Sequence, residues 1–265
     1  MKFLLICLGI ILSLKSYSQT PKKSEMVSLN GSNIYYEVHG KGKPLFLLHG
    51  YTQSSKHWAP YITDYANEYE VYLIDLKGHG KSSPFTEKLS IKAAAKDLDA
   101  LIDHLKLDSI YGIGYSYGGD ILFQLELLRP GLVKSMVSIG ACGDWDAKAR
   151  PDWMDLLSYK NIENLKWMRE QQLNEERIKN ILDQFPNYKI SISNEELKGI
   201  QSNILIVVGD GDNSIQLSEI DRVRKNLPHS YLWIVPDCPH GAHEGKHKPE
   251  FLKKTKEFFR NEWGK

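Results

Sequence analysis

The runs PLFLLHG, EVYLIDLKG, SIYGIGYS, VKSMVSIGA, ILIVVGDGD and YLWIVPDC are dominated by consecutive apolar residues and are separated by amphipathic segments. A half-exposed strand alternates polar with apolar residues, whereas a strand apolar throughout is buried on both faces. The chain is therefore committed to a largely parallel sheet covered by helices, an α/β fold. The runs close on Gly, Asp or His, and the carboxyl ends of such strands are where ligands sit. Ahead of them, EMVSLN and NIYYEVHG flank Asn30-Gly31-Ser32, which predicts a hairpin. Residues 90–105 and 118–128 carry apolar residues at helical spacing, and Pro130-Gly131 stops the second segment. Over residues 144–199 the alternation breaks. Apolar residues such as Trp153, Leu157, Trp167, Ile181 and Phe185 then mark a helical insertion between two strands, a cap. Most of these side chains are expected to bury the insertion against the core, and a few to line an apolar pocket. The predicted organisation is a core over residues 24–143 and 200–265 with a cap over 144–199.

Residues 1–18, MKFLLICLGIILSLKSYS, combine Lys2, an apolar stretch and small residues at Ser16 and Ser18, which predicts a cleaved signal peptide and an exported protein. The apolar stretch falls short of the ~20 residues a spanning helix needs. Ile6 is too bulky for a lipoprotein box ending at Cys7. Cleavage removes Lys2 and Lys15 from the 34 basic residues, leaving 32 against 33 acidic ones and a net charge of −1. So balanced a chain offers no field for nucleic acid, and a small molecule is the expected partner. Cys142 and Cys238 remain, and their presence alone does not establish a disulfide.

Gly114-Tyr115-Ser116-Tyr117-Gly118 matches G-x-S-x-G with a predicted strand before it and a predicted helix after it. Such a turn lifts Ser116 out of the sheet edge in strained geometry, and glycines at 114 and 118 let strand and helix approach. A serine hydroxyl needs a base, and the base needs a group that fixes its tautomer. Asp212 lies just past a strand and His240 follows the last one, giving the chain order Ser, Asp, His. Asp210, Asp144 and Asp146 compete for the acid, while Asp75 is expected to organise its own turn. The N–H of Tyr117, the residue after the nucleophile, is one oxyanion donor.

With His49-Gly50 after a strand, Asp75 to Ser82 as D-x-x-G-x-G-x-S, the elbow at Ser116, the G-x-x-D at Gly209 to Asp212 and the final loop Pro236 to His240, the chain resembles the α/β-hydrolase family over residues 43–263. The resemblance implies an eight-stranded sheet with a helical cap between strands six and seven. It also implies Asp212 as acid, His240 as base and the backbone N–H of Tyr51 as second oxyanion donor. On this fold carbon-halogen and epoxide cleavage use a carboxylate at the elbow. Ser116 points instead to esters, thioesters, lactones or, less often, carbon-carbon bonds. His49 is read as a buried scaffolding histidine.

Two other motifs compete. His243-Glu244-Gly245-Lys246-His247 spells H-E-x-x-H, a zinc-peptidase pattern when helical, but Gly241, Gly245 and Pro249 oppose a helix. His243 and His247 are expected instead in a solvent-facing loop and at a helix start, with His243 a mild control for His240. Gly80-Lys81-Ser82 ends like a phosphate loop, but Asp75 stands where its first glycine belongs. A ligand-binding protein of hydrolase fold without turnover is the rival from another class. The expectation is a serine hydrolase acting on a small or medium carboxylic ester, with no cofactor and no metal required.

Overall fold

A computed structural model of the protein describes residues 20–263. The expected signal peptide at 1–18 lies outside the described residues. Strands β1 (Lys23–Leu29), β2 (Ser32–Gly40), β3 (Lys43–Leu48), β4 (Tyr69–Asp75), β5 (Ile110–Tyr115) and β6 (Val133–Ile139) precede two short strands, β7 (Asp144–Asp146) and β8 (Lys189–Ser191). Strands β9 (Asn203–Gly209) and β10 (Ser230–Val235) follow. Eight of them form one sheet in the order β1-β2-β4-β3-β5-β6-β9-β10. β1 and β2 are antiparallel, as are β2 and β4, and every later pairing in that sheet is parallel. The β1–β2 turn is Asn30-Gly31, with φ of 50° and 75°, the left-handed pair that a two-residue hairpin requires.

The central apolar runs feed two cores, whereas β10, at the sheet edge, leaves Tyr231 44% and Ile234 43% exposed. Phe46 and Leu48 of β3 and Ile204, Ile206 and Val208 of β9 enter one cluster, while Leu45, Leu47, Leu205 and Val207 enter the other. The helices are α1 (Ile62–Tyr65), α2 (Ile91–His104), α3 (Tyr117–Leu128), α4 (Pro151–Leu156), α5 (Trp167–Gln171), α6 (Glu175–Gln184), α7 (Asn194–Gly199), α8 (Leu217–Asn226) and α9 (Lys248–Phe259). α2 and α3 contribute to the first cluster; Phe251, Phe258 and Phe259 of α9 and Ile62 and Tyr65 of α1 fill the second.

The segment between β6 and β9 carries short helices and also a small sheet, because β7 pairs antiparallel with β8 and closes the insertion at its base. Its Ile178, Ile181, Leu182 and Phe185 are buried in the first cluster, whereas Trp167 stays 41% exposed. Strand order reverses between β3 and β5, so the loops after these two strands diverge and leave a crevice at their carboxyl ends. Cys142 and Cys238 are both buried free thiols.

Candidate active site

Ser116 sits between β5 and α3 at φ 49° and ψ −114°, a left-handed backbone that a serine adopts only when its surroundings impose it. Two imposing contacts are visible. A Cβ on Gly114 would meet the Gly118 carbonyl carbon at 2.5 Å, and one on Gly118 would meet the Leu48 carbonyl oxygen at 2.4 Å. The Ser116 N–H donates to the Ile139 carbonyl at 2.7 Å, and its own carbonyl accepts from Gly119 and Asp120.

Asp212 follows β9 and is buried; its Oδ2 lies 2.7 Å from His240 Nδ1. Asp210, by contrast, accepts from the Cys238 N–H at 3.2 Å. Asp144 pairs with Arg222 and Asp146 with Lys189. Burial works to raise the Asp212 carboxyl, but hydrogen bonds from His240 and Ser214 outweigh it and hold the group below the ordinary aspartate range. Ser214, which the sequence reading did not single out, donates its hydroxyl to Asp212 Oδ1 at 2.6 Å and lies 2.9 Å from His240 Nδ1. Its N–H also donates to Asp212 Oδ1, an Asx-type turn that the D-x-S spacing announces. Gly140 was missed too. At φ +58° it lies under the imidazole, and a Cβ there would meet His240 Cε1 at 2.7 Å.

Ser116, His240, Asp120 and Ser214 face one cavity of about 510 Å³, roofed by Trp145, Trp153, Leu156, Trp167 and Phe185. No hydrogen bond joins Ser116 Oγ to His240 among the described residues; in ligand-free sites such bonds are often long and tighten with substrate. Neither the Tyr51 nor the Tyr117 backbone N–H has an acceptor among the described residues. The Tyr51 ring packs edge-on against Tyr117 at 5.5 Å, and its hydroxyl donates to the Ile181 carbonyl of α6 at 2.7 Å.

The loop after β3 is tied down from both sides. His49 accepts from the Leu76 N–H at Nε2, so its Nδ1–H donates to the Gly50 carbonyl, a buried scaffolding role. Asp75 organises its turn by accepting from Ser55 and Lys81. Gln172 donates to the Thr52 and Gln53 carbonyls and accepts from Gly80, fastening the insertion to that loop. Asp120 fastens the insertion's two ends, accepting from the Gly143 N–H and the Tyr188 hydroxyl. Burial pushes its carboxyl up to about 6.

One expectation is overturned. His243 is not in a solvent-facing loop: it is fully buried among Trp58, Tyr61, Tyr115 and Phe251, and its Nε2 lies 2.8 Å from His57 Nε2. His57, Trp58 and Tyr61 come from the segment after β3, Tyr115 from the end of β5 and Phe251 from α9, and together they supply the apolar enclosure that the local polar sequence lacks. His243 is thus a packed side chain and no mild control. The H-E-x-x-H stretch forms a turn and a single 3-10 turn at Gly245–His247, and His247 leads into α9.

A family model described as alpha/beta hydrolase fold matches residues 43–165. The naproxen esterase of Bacillus subtilis superposes with a TM-score of 0.73 at 23% identity, covering 89% of this chain and 91% of that one. The chain has the α/β-hydrolase fold. A meta-cleavage product hydrolase from Pseudomonas fluorescens IP01 shares this α/β-hydrolase fold with a TM-score of 0.73 at 19% identity over 89% and 97% of the two chains. In sequence, the chain is 32% identical over 154 residues to the soluble epoxide hydrolase of Corynebacterium sp. (strain C12), covering 51% of this chain and 54% of that protein. It is 29% identical over 120 residues to the pimeloyl-[acyl-carrier protein] methyl ester esterase of Shewanella oneidensis, 45% and 43% of the two lengths. The chain spans about half the length of the curated relatives it matches.

Proposed function

We propose that the protein is a serine hydrolase that cleaves a small or medium carboxylic ester through an acyl-enzyme. One observation carries the reading: a serine held at φ 49° and an imidazole paired to a buried carboxylate at 2.7 Å open into the same apolar cavity. In this mechanism His240 takes the Ser116 proton as Oγ attacks the ester carbonyl. Asp212 holds the Nδ1–H tautomer and stabilises the imidazolium. The N–H groups of Tyr51 and Tyr117 take the oxyanion, and one such donor is worth ~3 kcal/mol. Collapse expels the alcohol with the proton from His240, and water activated by the same imidazole then releases the acid. Relatives named as esterases support an ester over other bonds, and a serine in place of a carboxylate at the elbow argues against epoxide opening.

A fluorophosphonate probe tests this directly. Wild-type protein is expected to be labelled stoichiometrically and Ser116→Ala not at all; an unlabelled wild type would overturn the reading. Hydrolysis of a p-nitrophenyl ester series of increasing acyl length then reads the size of the cavity.

A further inference from the structure

Behind Tyr115, in the wall of the same cavity, stand three donors that the ester mechanism leaves unused. His57 lies in the 3-10 turn Ser55–Tyr61 after β3, and His243 and Glu244 lie in the loop before α9. Among the described residues they are the one group of three His, Cys, Asp or Glu side chains with ligand atoms close enough to hold a metal ion. His57 Nε2 is 2.8 Å from His243 Nε2 and 3.4 Å from Glu244 Oε1, and His243 Nε2 is 3.7 Å from that oxygen. Three ligands at the ~2.0–2.1 Å bonds of a tetrahedral zinc ion stand ~3.3 Å apart, so this triangle approaches one face of such a tetrahedron once its 2.8 Å edge opens by about 0.5 Å. His57 and Glu244 line the cavity, which leaves the fourth position open on that side.

We propose that His57, His243 and Glu244 bind a single divalent d-block cation, Zn²⁺ foremost, in the wall of the Ser116 cavity. The charge balance favours it. The 2.8 Å contact between the two Nε2 atoms requires a lone pair on one of them, so at least one of the two imidazoles is neutral. Neutral imidazole is the ligand form. Glu244 has no lysine or arginine partner among the described residues, so with both rings neutral the cluster carries an uncompensated negative charge. At rest one imidazole donates its Nε2–H to the other. On binding, His57, the ring open to the cavity, exchanges that proton for the Nδ1–H tautomer, and both Nε2 lone pairs face the ion. No proton is lost, and the cluster passes from −1 to +1. Two contacts hold the ligand residues in place: the Tyr61 hydroxyl donates to the His243 carbonyl at 2.7 Å, and His57 stacks on Tyr115 at 5.4 Å.

The ion is not part of the ester chemistry. Tyr115 lies between the site and His240, with ring centroids 4.7 Å from His243 and 5.1 Å from His240. A net positive charge there disfavours the imidazolium that the proposed mechanism requires, so occupancy inhibits. This consequence rests on the hydrolase reading; binding does not.

Chelator-stripped protein is titrated with Zn²⁺ by calorimetry and with Co²⁺ by visible absorption, where four-coordinate cobalt gives intense bands. One equivalent is expected in wild type. Glu244→Gln, at a half-exposed position, and His57→Gln are each expected to weaken binding at least about 10-fold, a loss of the size seen even for supporting residues. His240→Ala is expected to bind as wild type does. Absence of stoichiometric binding in wild type, or binding lost with His240→Ala and kept with His57→Gln, overturns the proposal. Ester hydrolysis by wild type, but not by Glu244→Gln, is expected to be reversibly inhibited by zinc at concentrations that fill the site; equal inhibition of both overturns the inhibitory role. If no hydrolysis is detected at all, the hydrolase reading fails and the binding titrations still decide the site.

Discussion

Replacing Gly140 by alanine tests how firmly the fold fixes the imidazole. The new Cβ would lie 2.7 Å from His240 Cε1 and 2.8 Å from Nδ1, about 0.7 Å short of the 3.4 Å at which ordinary contact begins. Either the ring or the β6 end must give way, and the ring is also in contact with Trp153, with centroids 5.8 Å apart. The left-handed φ of +58° adds a cost of about 1–2 kcal/mol for any residue with a Cβ. Misplacing a catalytic group by about 1 Å costs on the order of 100-fold, so displacement by somewhat less is expected to slow the reaction about 10- to 100-fold. That is about 1.4–2.7 kcal/mol in the barrier. Gly31→Ala is the matched comparison: its φ of +75° imposes similar strain, but nothing lies within 4 Å of the added carbon. Urea denaturation is expected to show both variants destabilised by the shared backbone strain, Gly140→Ala by more because the clash adds to it. The rate of fluorophosphonate labelling is expected to fall only in Gly140→Ala. Equal labelling rates in the two variants would refute the reasoning.

Asp212→Asn, which removes the acceptor that fixes the His240 tautomer, is expected to lower kcat by about 10³–10⁴-fold, measured on a p-nitrophenyl ester. Because the folded Asp212 carboxyl titrates below its ordinary 3.8, it contributes stability that is full above that value and lost as pH falls through the lower folded value; chemical denaturation of the two proteins should converge in acid. Ser214→Ala deletes hydrogen bonds to both Asp212 and His240 and is expected to reduce kcat roughly 5- to 30-fold with KM little changed, as a positioning residue should. Asp120, whose carboxyl burial raises, has the opposite sign to Asp212. With a folded value near 6 against 3.8, the wild type should lose about 3 kcal/mol as pH rises between them, and Asp120→Asn should flatten that slope in denaturation measured from pH 4 to 7.

The sheet was readable because burial on both faces leaves no room for polar residues: Ile204 to Val208 send alternate side chains into two separate cores. The elbow was readable because its backbone demands glycine at fixed positions around Ser116. What escaped was whatever depends on distant partners. His243 looks exposed amid Gly, Glu and Lys, and only the fold sets it against Trp58 and His57. The role of Gly140 is invisible until the loop carrying His240 folds over it. β7 and β8 are three residues each and pair across the whole insertion, so neither offers a periodicity to detect. Ser214 stood two residues past Asp212, a local signal that went unused.

The hydroxyl of Tyr51 is anchored to a carbonyl of the insertion, while the N–H of the same residue, which lines the Ser116 cavity, has no acceptor among the described residues. Since the acceptor at Ile181 is main chain, its side chain can be exchanged without breaking that anchor. The roof itself is built by Trp153, Leu156 and Trp167, none of them in α6, so a library at these positions can reshape the cavity while the helix that holds the Tyr51 hydroxyl is left intact. Change in the roof and constancy of the donor beneath it are, in this architecture, separable by the choice of a backbone atom as the point of attachment.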